Sequence, residues 1–225
     1  MPKLIHIIHA AAFITALGVA VAFAGQVNDK TIDVPLPAPA EPGELDGWTV
    51  KDWTGRSGID VVETDAGRAL HLVSKGSSSA IYRDMEVDVS EYRYINWKWK
   101  VVSLPKGGDV RVKSADDQAA QLYVIFPKWP ASVNSRLLGY IWDTSTPAGL
   151  SVTSTKMSTT RYVVVESGAK GLGLWHQERR NVYEDFKTLF GDEKLKAGRV
   201  SIMIDSDDTN GSAESYITDI YFSKD

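Results

Sequence analysis

Residues 94–101, with the sequence YINWKWKV, constrain the fold more than any other stretch, because apolar and polar side chains alternate there without a break. The apolar set is Ile95, Trp97, Trp99 and Val101. Successive side chains of a β-strand point to opposite faces, so the alternation predicts a strand with one buried and one solvent-facing side. In an α-helix the same side chains would be spread around the cylinder. We therefore expect a β-sandwich core around this strand.

Eight further strand-like runs, separated by turn-forming residues, support an all-β fold. They lie near residues 59–63, 69–74, 80–87, 119–126, 137–142, 161–166, 200–204 and 215–222. The one helix expected begins after Asn181, which can cap it, and ends before Gly191. The sequence thus predicts an all-β, jelly-roll-like antiparallel β-sandwich with one short helix at about residues 181–190.

The run at 119–126 differs from the others because both of its faces are apolar or aromatic. Leu122 and Val124 alternate with Tyr123 and Ile125, and only Gln121 is polar. Such a strand is expected at the centre of a sheet. One face should lie on the core, and the other should line a concave aromatic surface.

The first 45 residues are expected to lie outside the folded domain. Lys3, the apolar run at 10–23 and the small-x-small motif at 22–24 predict a cleaved signal peptide at 1–24. A membrane anchor is the alternative, but this run is shorter than the ~20 residues that span a bilayer. Residues 25–45 read as a Pro-rich linker and residues 46–225 as a single domain. We expect an exported protein, periplasmic or secreted, that does not span a membrane after cleavage.

Composition excludes several classes of function. The formal net charge of −4 gives no basic footprint for nucleic acid. Cysteine is absent, which excludes thiolate catalysis and Cys-ligated zinc. Only His71 and His176 follow the signal sequence, which argues against a His-ligated catalytic metal. The G-x-S-x-G, Walker and dinucleotide motifs are also absent.

An acidic loop at residues 205–211 is the candidate metal site. Asp205, Asp207 and Asp208 offer the hard oxygen ligands that calcium prefers. The loop does not fit the helix-loop-helix calcium pattern, because its glycine stands one place late when counted from Asp205. The alternative is a solvated, Asx-rich hairpin turn.

Carboxylates are also the candidate catalytic groups. Asp117 opens the strand that carries Tyr123, and a pair of carboxylates can share acid and base roles. Adjacent residues of a strand point to opposite faces, so the partner of Asp117 must come from elsewhere, with Asp185, Asp205 and Glu166 as the candidates. The alternative is that Asp117 is a turn acid ending a loop.

Aromatic and basic residues form the candidate ligand-binding set. Tyr123, Tyr140 and Trp142 offer rigid rings that can stack on a sugar. Arg180 and Asn181 stand at the start of the expected helix, where a guanidinium and free backbone N–H groups suit a carboxylate or sulfate. The alternative for the arginine is an ion pair on the surface with a neighbouring acid of residues 178–185.

Several blocks, in order and spacing, resemble the uncharacterised bacterial family known as domain of unknown function 3047. They are residues 97–101, 117–126, 139–142, 165–168, 180–186, 204–209 and 216–222. The resemblance implies an exported bacterial protein and brings no reaction with it. The last block is also similar to the closing strand of carbohydrate-binding jelly rolls, where an acid often joins a structural calcium site. Asp219 is the matching residue, which adds it to the calcium set, although Thr218 stands where a second acid is common.

Three hypotheses about function remain. The first is a non-catalytic binding module for a glycan or another polar ligand of the cell envelope. The second is a polysaccharide hydrolase or lyase on the same fold. The third is a structural or assembly protein of the envelope, which would present an apolar patch or an unpaired edge strand. The fold class does not distinguish them, because sandwiches host all three.

Overall fold

Thirteen β-strands form two sheets over residues 30–38, 45–191 and 196–225, the parts of the chain that the computed structural model describes. The strands are β1 (Thr31–Asp33), β2 (Thr49–Thr54), β3 (Gly58–Thr64), β4 (Gly67–Lys75), β5 (Ser78–Val87), β6 (Tyr94–Ser103), β7 (Ala120–Phe126), β8 (Arg136–Asp143), β9 (Ser151–Thr153), β10 (Thr160–Ser167), β11 (His176–Asn181), β12 (Ala197–Asp205) and β13 (Ser212–Ser223). The helices are a 3₁₀ turn (Lys113–Ala115), α1 (Ala131–Asn134) and α2 (Val182–Phe190). The expected signal peptide lies outside the described residues.

The two sheets pack face to face as a sandwich. The six-stranded sheet has the order β11-β6-β13-β4-β3, with β1 also paired to β13. The seven-stranded sheet has the order β2-β5-β12-β7-β8-β10-β9. All pairs are antiparallel except β8 and β10, which run parallel. The predicted all-β sandwich is confirmed, and the single parallel pair is its departure from the expected antiparallel pattern.

The strand β6 carries the core of the six-stranded sheet, as its alternation predicts. Ile95, Trp97, Trp99 and Val101 are all buried. The ring of Trp97 stacks on Tyr140 of β8 at a centroid distance of 5.4 Å, so the aromatic contact joins the two sheets. Burial of aromatic side chains of this size supplies a large part of the hydrophobic stabilisation of a small domain.

Each of the nine strand predictions falls on an observed strand, and four strands were not predicted. These four are β1, β2, β9 and β11. The strand β11 has the polar sequence HQERRN, and it is a strand because it pairs along its length with β6, from His176 opposite Trp99 to Asn181 opposite Tyr94. Its backbone hydrogen bonds, not its own apolar pattern, hold it in place.

Part of the expected Pro-rich linker belongs to the fold, which corrects the predicted boundary at residue 46. Residues Thr31–Asp33 pair with β13, and Val34 is buried in the core. The carbonyl oxygen of Pro35 accepts a hydrogen bond from Trp48 Nε1 at 3.0 Å. Pro35 follows β1 and lies outside the paired residues, so no hydrogen bond of the sheet needs the N–H group that proline lacks.

The helix α2 begins and ends where the sequence predicts. The side chain of Asn181 accepts a hydrogen bond from the backbone N–H of Glu184, and Gly191 follows the last helical residue with a φ of 92°. Phe186 is buried against Phe126 of β7 at 4.3 Å between ring centroids, so the helix packs against the core. Among the described residues, no helix is long and apolar enough to cross a membrane.

Candidate functional site

A groove of about 720 Å³ runs across the outward face of the seven-stranded sheet. Alternate residues of six neighbouring strands contribute to it, since residues directly opposite each other in a sheet share a face. The register places Tyr82 opposite Ser201, Ser201 opposite Tyr123, and Tyr123 opposite Gly139. The side chains that give the groove its character are Lys51, Trp53, Tyr82, Asp116, Tyr123, Lys156, Met157, Tyr162, Arg199, Met203, Asp205 and Asp207.

The floor of the groove is aromatic and apolar. Tyr123 of β7 and Tyr162 of β10 are nearly buried there, in a second apolar cluster that the sheet separates from the main core. The strand β8 passes between them, and its residue at this level is Gly139. A concave aromatic surface beside Tyr123 is therefore confirmed as a feature of the fold.

A chain of hydrogen bonds links the floor to the acidic end of the groove. Tyr123 Oη donates to Gln121 Oε1 at 2.5 Å, and Gln121 Nε2 donates to Asp205 Oδ1 at 2.8 Å. The backbone N–H of Gln118 donates to the same carboxylate oxygen at 2.7 Å. Burial raises the pKa of Tyr123 well above its usual value and raises that of Asp205 in the same direction. The floor is thus held by a neutral phenol and a deeply buried carboxyl.

The rim at β2 presents the most exposed aromatic side chain of the groove. Trp53 is 57% exposed, and the pairing of β2 with β5 slips between Asp52 and Thr54, which leaves Trp53 as a bulge residue. Bulges of this kind re-aim a side chain. Across the rim, the guanidinium of Arg199 lies 4.0 Å from the centroid of the Tyr82 ring. The groove therefore has an aromatic face that solvent can reach.

Acidic side chains gather at the other end of the groove, with Lys156 among them. Asp116 lines the groove and is buried, and this burial raises its pKa to about 6. The ammonium of Lys156 pairs with the carboxylate of Asp208 and also lies 3.5 Å from the carbonyl oxygen of Asp116. Because the acids at this end outnumber the one lysine, a cation or a ligand rich in hydrogen-bond donors suits it.

Three carboxylates at this end lie close enough to hold one cation. Oxygens of Asp117, Asp205 and Asp207 are all within 4.8 Å of one another. Both oxygens of Asp117 also accept backbone N–H groups of the loop, from Asp208 at 3.1 Å and from Thr209 at 2.7 Å. Such carboxylate groups suit calcium. The calcium site stays a prediction, and the residues that could form it are now Asp117, Asp205 and Asp207.

Two members of the predicted calcium set do not belong to this group of three carboxylates. The carboxylate of Asp208 is engaged by Lys156, and Asp219 belongs to β13 of the six-stranded sheet, where Lys98 Nζ pairs with it at 2.8 Å. Asp219 has a φ of 51° at a point where the register of β13 with β6 shifts. The sequence grouped Asp219 with the loop by resemblance alone, and the sheet topology separates them.

The predicted catalytic carboxylates do not all meet in one place, because oxygens of Asp117 and Asp205 lie within 4.8 Å of each other whereas Asp185 lies on α2. Asp205 lines the groove, whereas Asp117 caps the loop behind it. Asp185, on α2, accepts hydrogen bonds from Tyr140 Oη at 3.0 Å and from Arg180 at 2.7 and 3.1 Å. The expected acid–base pair of Asp117 and Asp185 is therefore corrected, because the carboxylate of Asp185 is bound by Tyr140 and Arg180.

The five predicted ligand-binding residues also divide between two places. Tyr140 and Trp142 have no exposed surface, because they lie on the core face of β8, opposite to the groove. Arg180 is bound to Asp185, and the Asn181 side chain caps α2. Only Tyr123 of this set faces the groove. Arg180 forms an ion pair with Asp185, which is the alternative that the sequence left open. The expectation that all five residues line one binding surface is corrected, because four of them lie outside the groove.

Sequence reasoning missed Trp53, Tyr82, Tyr162 and Arg199 as groove residues. Each stands on a strand far in sequence from Tyr123, and strand order brings them together. A local signal was present in β12, where Arg199, Ser201 and Met203 alternate with the buried apolar residues Val200, Ile202 and Ile204. The alternation alone does not say which face of β12 lines the groove. The register with β7, which places Ser201 opposite Tyr123, decides it.

Comparison with known proteins identifies one family and several structures of similar fold. The model of the family described as "Protein of unknown function (DUF3047)" matches residues 46–221. None of the curated proteins matches the sequence significantly.

Two solved structures similar to the chain are carbohydrate-binding modules of Clostridium thermocellum. The family 11 module of the cellulosomal cellulase Lic26A-Cel5E is 8% identical, with 86% of this chain and 97% of that chain covered and a TM-score of 0.46. The family 30 module of the cellulosomal cellulase Cel9D-Cel44B is 12% identical, with 77% and 91% covered and a TM-score of 0.40.

A third similar structure is an enzyme, the family 11 xylanase from Neocallimastix patriciarum. It is 11% identical, with 80% of this chain and 94% of that chain covered and a TM-score of 0.39. At these identities and TM-scores, no residue of this chain takes a role from any of the three structures.

Proposed function

The chain belongs to the DUF3047 family of proteins of unknown function, and we propose that it is a binding module whose groove on the seven-stranded sheet takes a glycan. The groove volume of about 720 Å³ falls within the usual range for small-ligand sites. The proposed ligand class is a carbohydrate or another polar, hydroxyl-rich molecule of the cell envelope.

The observation that carries this proposal is the combination of aromatic faces and polar groups along one groove. A sugar ring has an apolar C–H face that stacks on an aromatic ring and an edge of hydroxyl groups that needs hydrogen-bond partners. Trp53 offers an exposed indole at one rim. Asp207 and Lys156 offer polar partners at the far end. Flat protein partners would need neither the depth of the groove nor the buried carboxyls beneath it.

A hydrolase or lyase is the second candidate, and Asp116 favours it. A general acid at neutral pH needs a carboxyl whose pKa is raised toward 6 or 7. Asp116 lines the groove, and burial raises its pKa to about 6. Turnover of a bound glycan, lost in Asp116→Asn, would establish the enzyme in place of the binding module.

We propose that the protein acts outside the cytoplasm. Residues 1–24 have the charged, apolar and small-residue sections of a secretory signal. The absence of cysteine is compatible with any redox compartment. Detection of the chain in a periplasmic or culture-medium fraction, with its N-terminus at residue 25, tests this location.

The binding proposal is tested by a screen of polysaccharides and a glycan array with the purified chain, followed by a reducing-end assay on every hit. Trp53→Ala should weaken retention by about fivefold or more, since stacking on one aromatic ring contributes about 1 kcal/mol or more. The matched control is Trp129→Ala, because Trp129 is 88% exposed and lies outside the groove. Retention that survives Trp53→Ala and is lost in Trp129→Ala would move the ligand away from the groove. A screen with no hit would favour the structural or assembly protein.

A further inference from the structure

A second cluster of ligand-type side chains lies away from the groove, where the edges of the two sheets meet. Glu166 is the last residue but one of β10 in the seven-stranded sheet, and His176 and Glu178 lie on β11 of the six-stranded sheet. One imidazole nitrogen and one oxygen of each carboxylate lie within 4.8 Å of one another. We propose that these three side chains bind a divalent transition cation of the zinc class.

The orientation of His176 is the observation that points to a metal. Its Nε2 lies 3.2 Å from the carbonyl oxygen of Gly171, an atom that can only accept, so Nε2 carries the proton. In the neutral ring, Nδ1 then has a free lone pair, and this nitrogen faces Glu166. Histidines that bind metals are typically held in this way by a backbone carbonyl at the other nitrogen.

The imidazole ring is also held in position by its surroundings. Trp142 meets it edge to face at a centroid distance of 4.9 Å. On another side the loop closes over the ring at Gly171, where a Cβ would stand 2.6 Å from Nε2. Gly171 has a φ of 85°, a conformation that glycine adopts readily. The ring therefore has little freedom to turn Nδ1 away from the two carboxylates.

The distance between His176 and Glu166 fits two ligands of one ion. Nδ1 and Oε1 are 3.4 Å apart, beyond the 2.7–3.2 Å usual for an N–H···O hydrogen bond. Two ligand atoms placed about 2.0–2.1 Å from a tetrahedral zinc ion stand about 3.4 Å apart. The observed separation is thus that of neighbouring zinc ligands.

Glu178 completes the set of three protein ligands. Its Oε1 accepts a hydrogen bond from Trp99 Nε1 at 3.2 Å, which fixes the carboxylate at the edge of the core. The three side chains are only partly buried, so a water molecule has access to a fourth position. Imidazole with two carboxylates suits zinc better than calcium, which prefers six or more oxygens.

A cation at this position would join the two sheets. Glu166 belongs to one sheet, and both β11 ligands belong to the other. Among the described strands, β11 pairs with β6 alone, so the ion would add a second attachment in a chain that has no cysteine for a disulfide. The proposed role is structural, which separates this site from the groove and from its ligand.

The competing arrangement is a protonated His176 that pairs with the two glutamates without any metal. Titration of the chelator-treated, tag-free chain with Zn²⁺, and with Co²⁺ as a spectroscopic probe, separates the two. Bound metal should raise the melting temperature by about 3 °C or more, and Co²⁺ should give the visible absorption of a four- or five-coordinate site. No thermal shift and no absorption would overturn the proposal.

Variants locate the ion. His176→Gln should abolish both signals, and Glu166→Gln should weaken Co²⁺ binding by about tenfold or more. The matched control is His71→Gln, because His71 pairs with Glu214 at 2.9 Å and, among the described residues, no third ligand-type side chain joins this pair. All variants are prepared with the same N-terminus, so metal binding by His6 and His9 in chains that retain residues 1–24 is common to all. If His176→Gln does not fold, Glu166→Gln decides. Unchanged metal binding in these variants, or equal loss in His71→Gln, would contradict the site.

Discussion

The rings of Tyr123 and Tyr162 meet edge to face across the backbone of Gly139, with centroids 6.1 Å apart and planes at 61°. This contact forms the floor of the groove. It exists because the strand between the two tyrosines carries no side chain at that level.

Gly139→Ala should therefore disturb the fold and the groove together. The added Cβ would stand 2.8 Å from Tyr123 Cε1 and 2.9 Å from Tyr162 Cδ1, so both buried rings must shift. Overpacking of this kind costs about 1–3 kcal/mol of unfolding free energy. Urea denaturation measures the loss, and binding of a groove ligand should weaken with it. Gly58→Ala is the control, because its Cβ would meet Val73 at an ordinary 3.8 Å. Equal stability of the two variants would contradict this account of the floor.

Asp116 should make stability depend on pH. Burial raises the pKa of Asp116 from 3.8 to about 6, so between about pH 4 and pH 6 the folded chain holds a proton that the unfolded chain has released. The stabilisation is fully present below pH 4 and is lost as the pH rises through 6. Asp116→Asn stays neutral, and it should be more stable than the wild type at pH 8 by about 1–3 kcal/mol.

The measurement for Asp116 is a pair of denaturation curves at pH 4 and pH 8. At pH 4 the substitution Asp116→Asn should raise the free energy of unfolding only slightly, because the wild-type carboxyl is protonated there in the folded chain. Asp46→Asn, at an exposed turn, is the control. A gain of the same size at both pH values would show that the burial of Asp116 does not govern its proton.

Asp185→Ala should destabilise the chain without affecting the groove. The substitution leaves the guanidinium of Arg180 and the buried hydroxyl of Tyr140 without their shared partner. Leaving a buried hydrogen-bonding group without its partner lowers the free energy of unfolding by about 1–3 kcal/mol. Glu184→Ala is the control, because this exposed acid lies in the same first turn of α2 and shares its dipole interaction. Retention of a groove ligand should be unchanged in both variants, and loss of retention in Asp185→Ala alone would return Arg180 and Tyr140 to the binding site.

Calcium should stabilise the chain through Asp117, Asp205 and Asp207. Neutralising three close carboxylates removes their mutual repulsion, and binding to the folded state alone raises its stability. Millimolar calcium is expected to raise the melting temperature by a few degrees, with Asp207→Asn removing the effect. A melting temperature indifferent to calcium and to chelator would leave the loop as an Asx-rich hairpin turn.

The alternation of side chains predicted the strands well because it is a local property. The pattern of β6 can be recognised without knowing its partner strands. The helix α2 is marked in the sequence by Asn181, which caps its start, and Gly191, which follows its end. The strands that were missed are short or polar. In β11, only the register with β6 explains why residues 176–181 are extended.

The groove was predicted in outline only, because its membership depends on long-range register. Both faces of β8 are apolar, so its sequence does not show whether Gly139 or Tyr140 lies on the groove side. The pairing of Tyr123 with Gly139 decides it, and Tyr140 and Trp142 then face the core. Trp53 and Tyr162 enter the groove through strand order, which no local pattern contains.

The position of β13 has a consequence for how the fold assembles. This strand follows every other element in chain order, yet it lies between β6 on one side and β4 and β1 on the other. Its partner Thr31 is nearly the whole described chain away from Ser223. The six-stranded sheet therefore has a high contact order, and loop-closure entropy must be overcome before its pairings form. Until β13 joins β6 to β4, the sheet that carries Trp97 and Trp99 is incomplete, so we expect slow folding on the scale of milliseconds to seconds and a chain that chaperones can bind in the meantime.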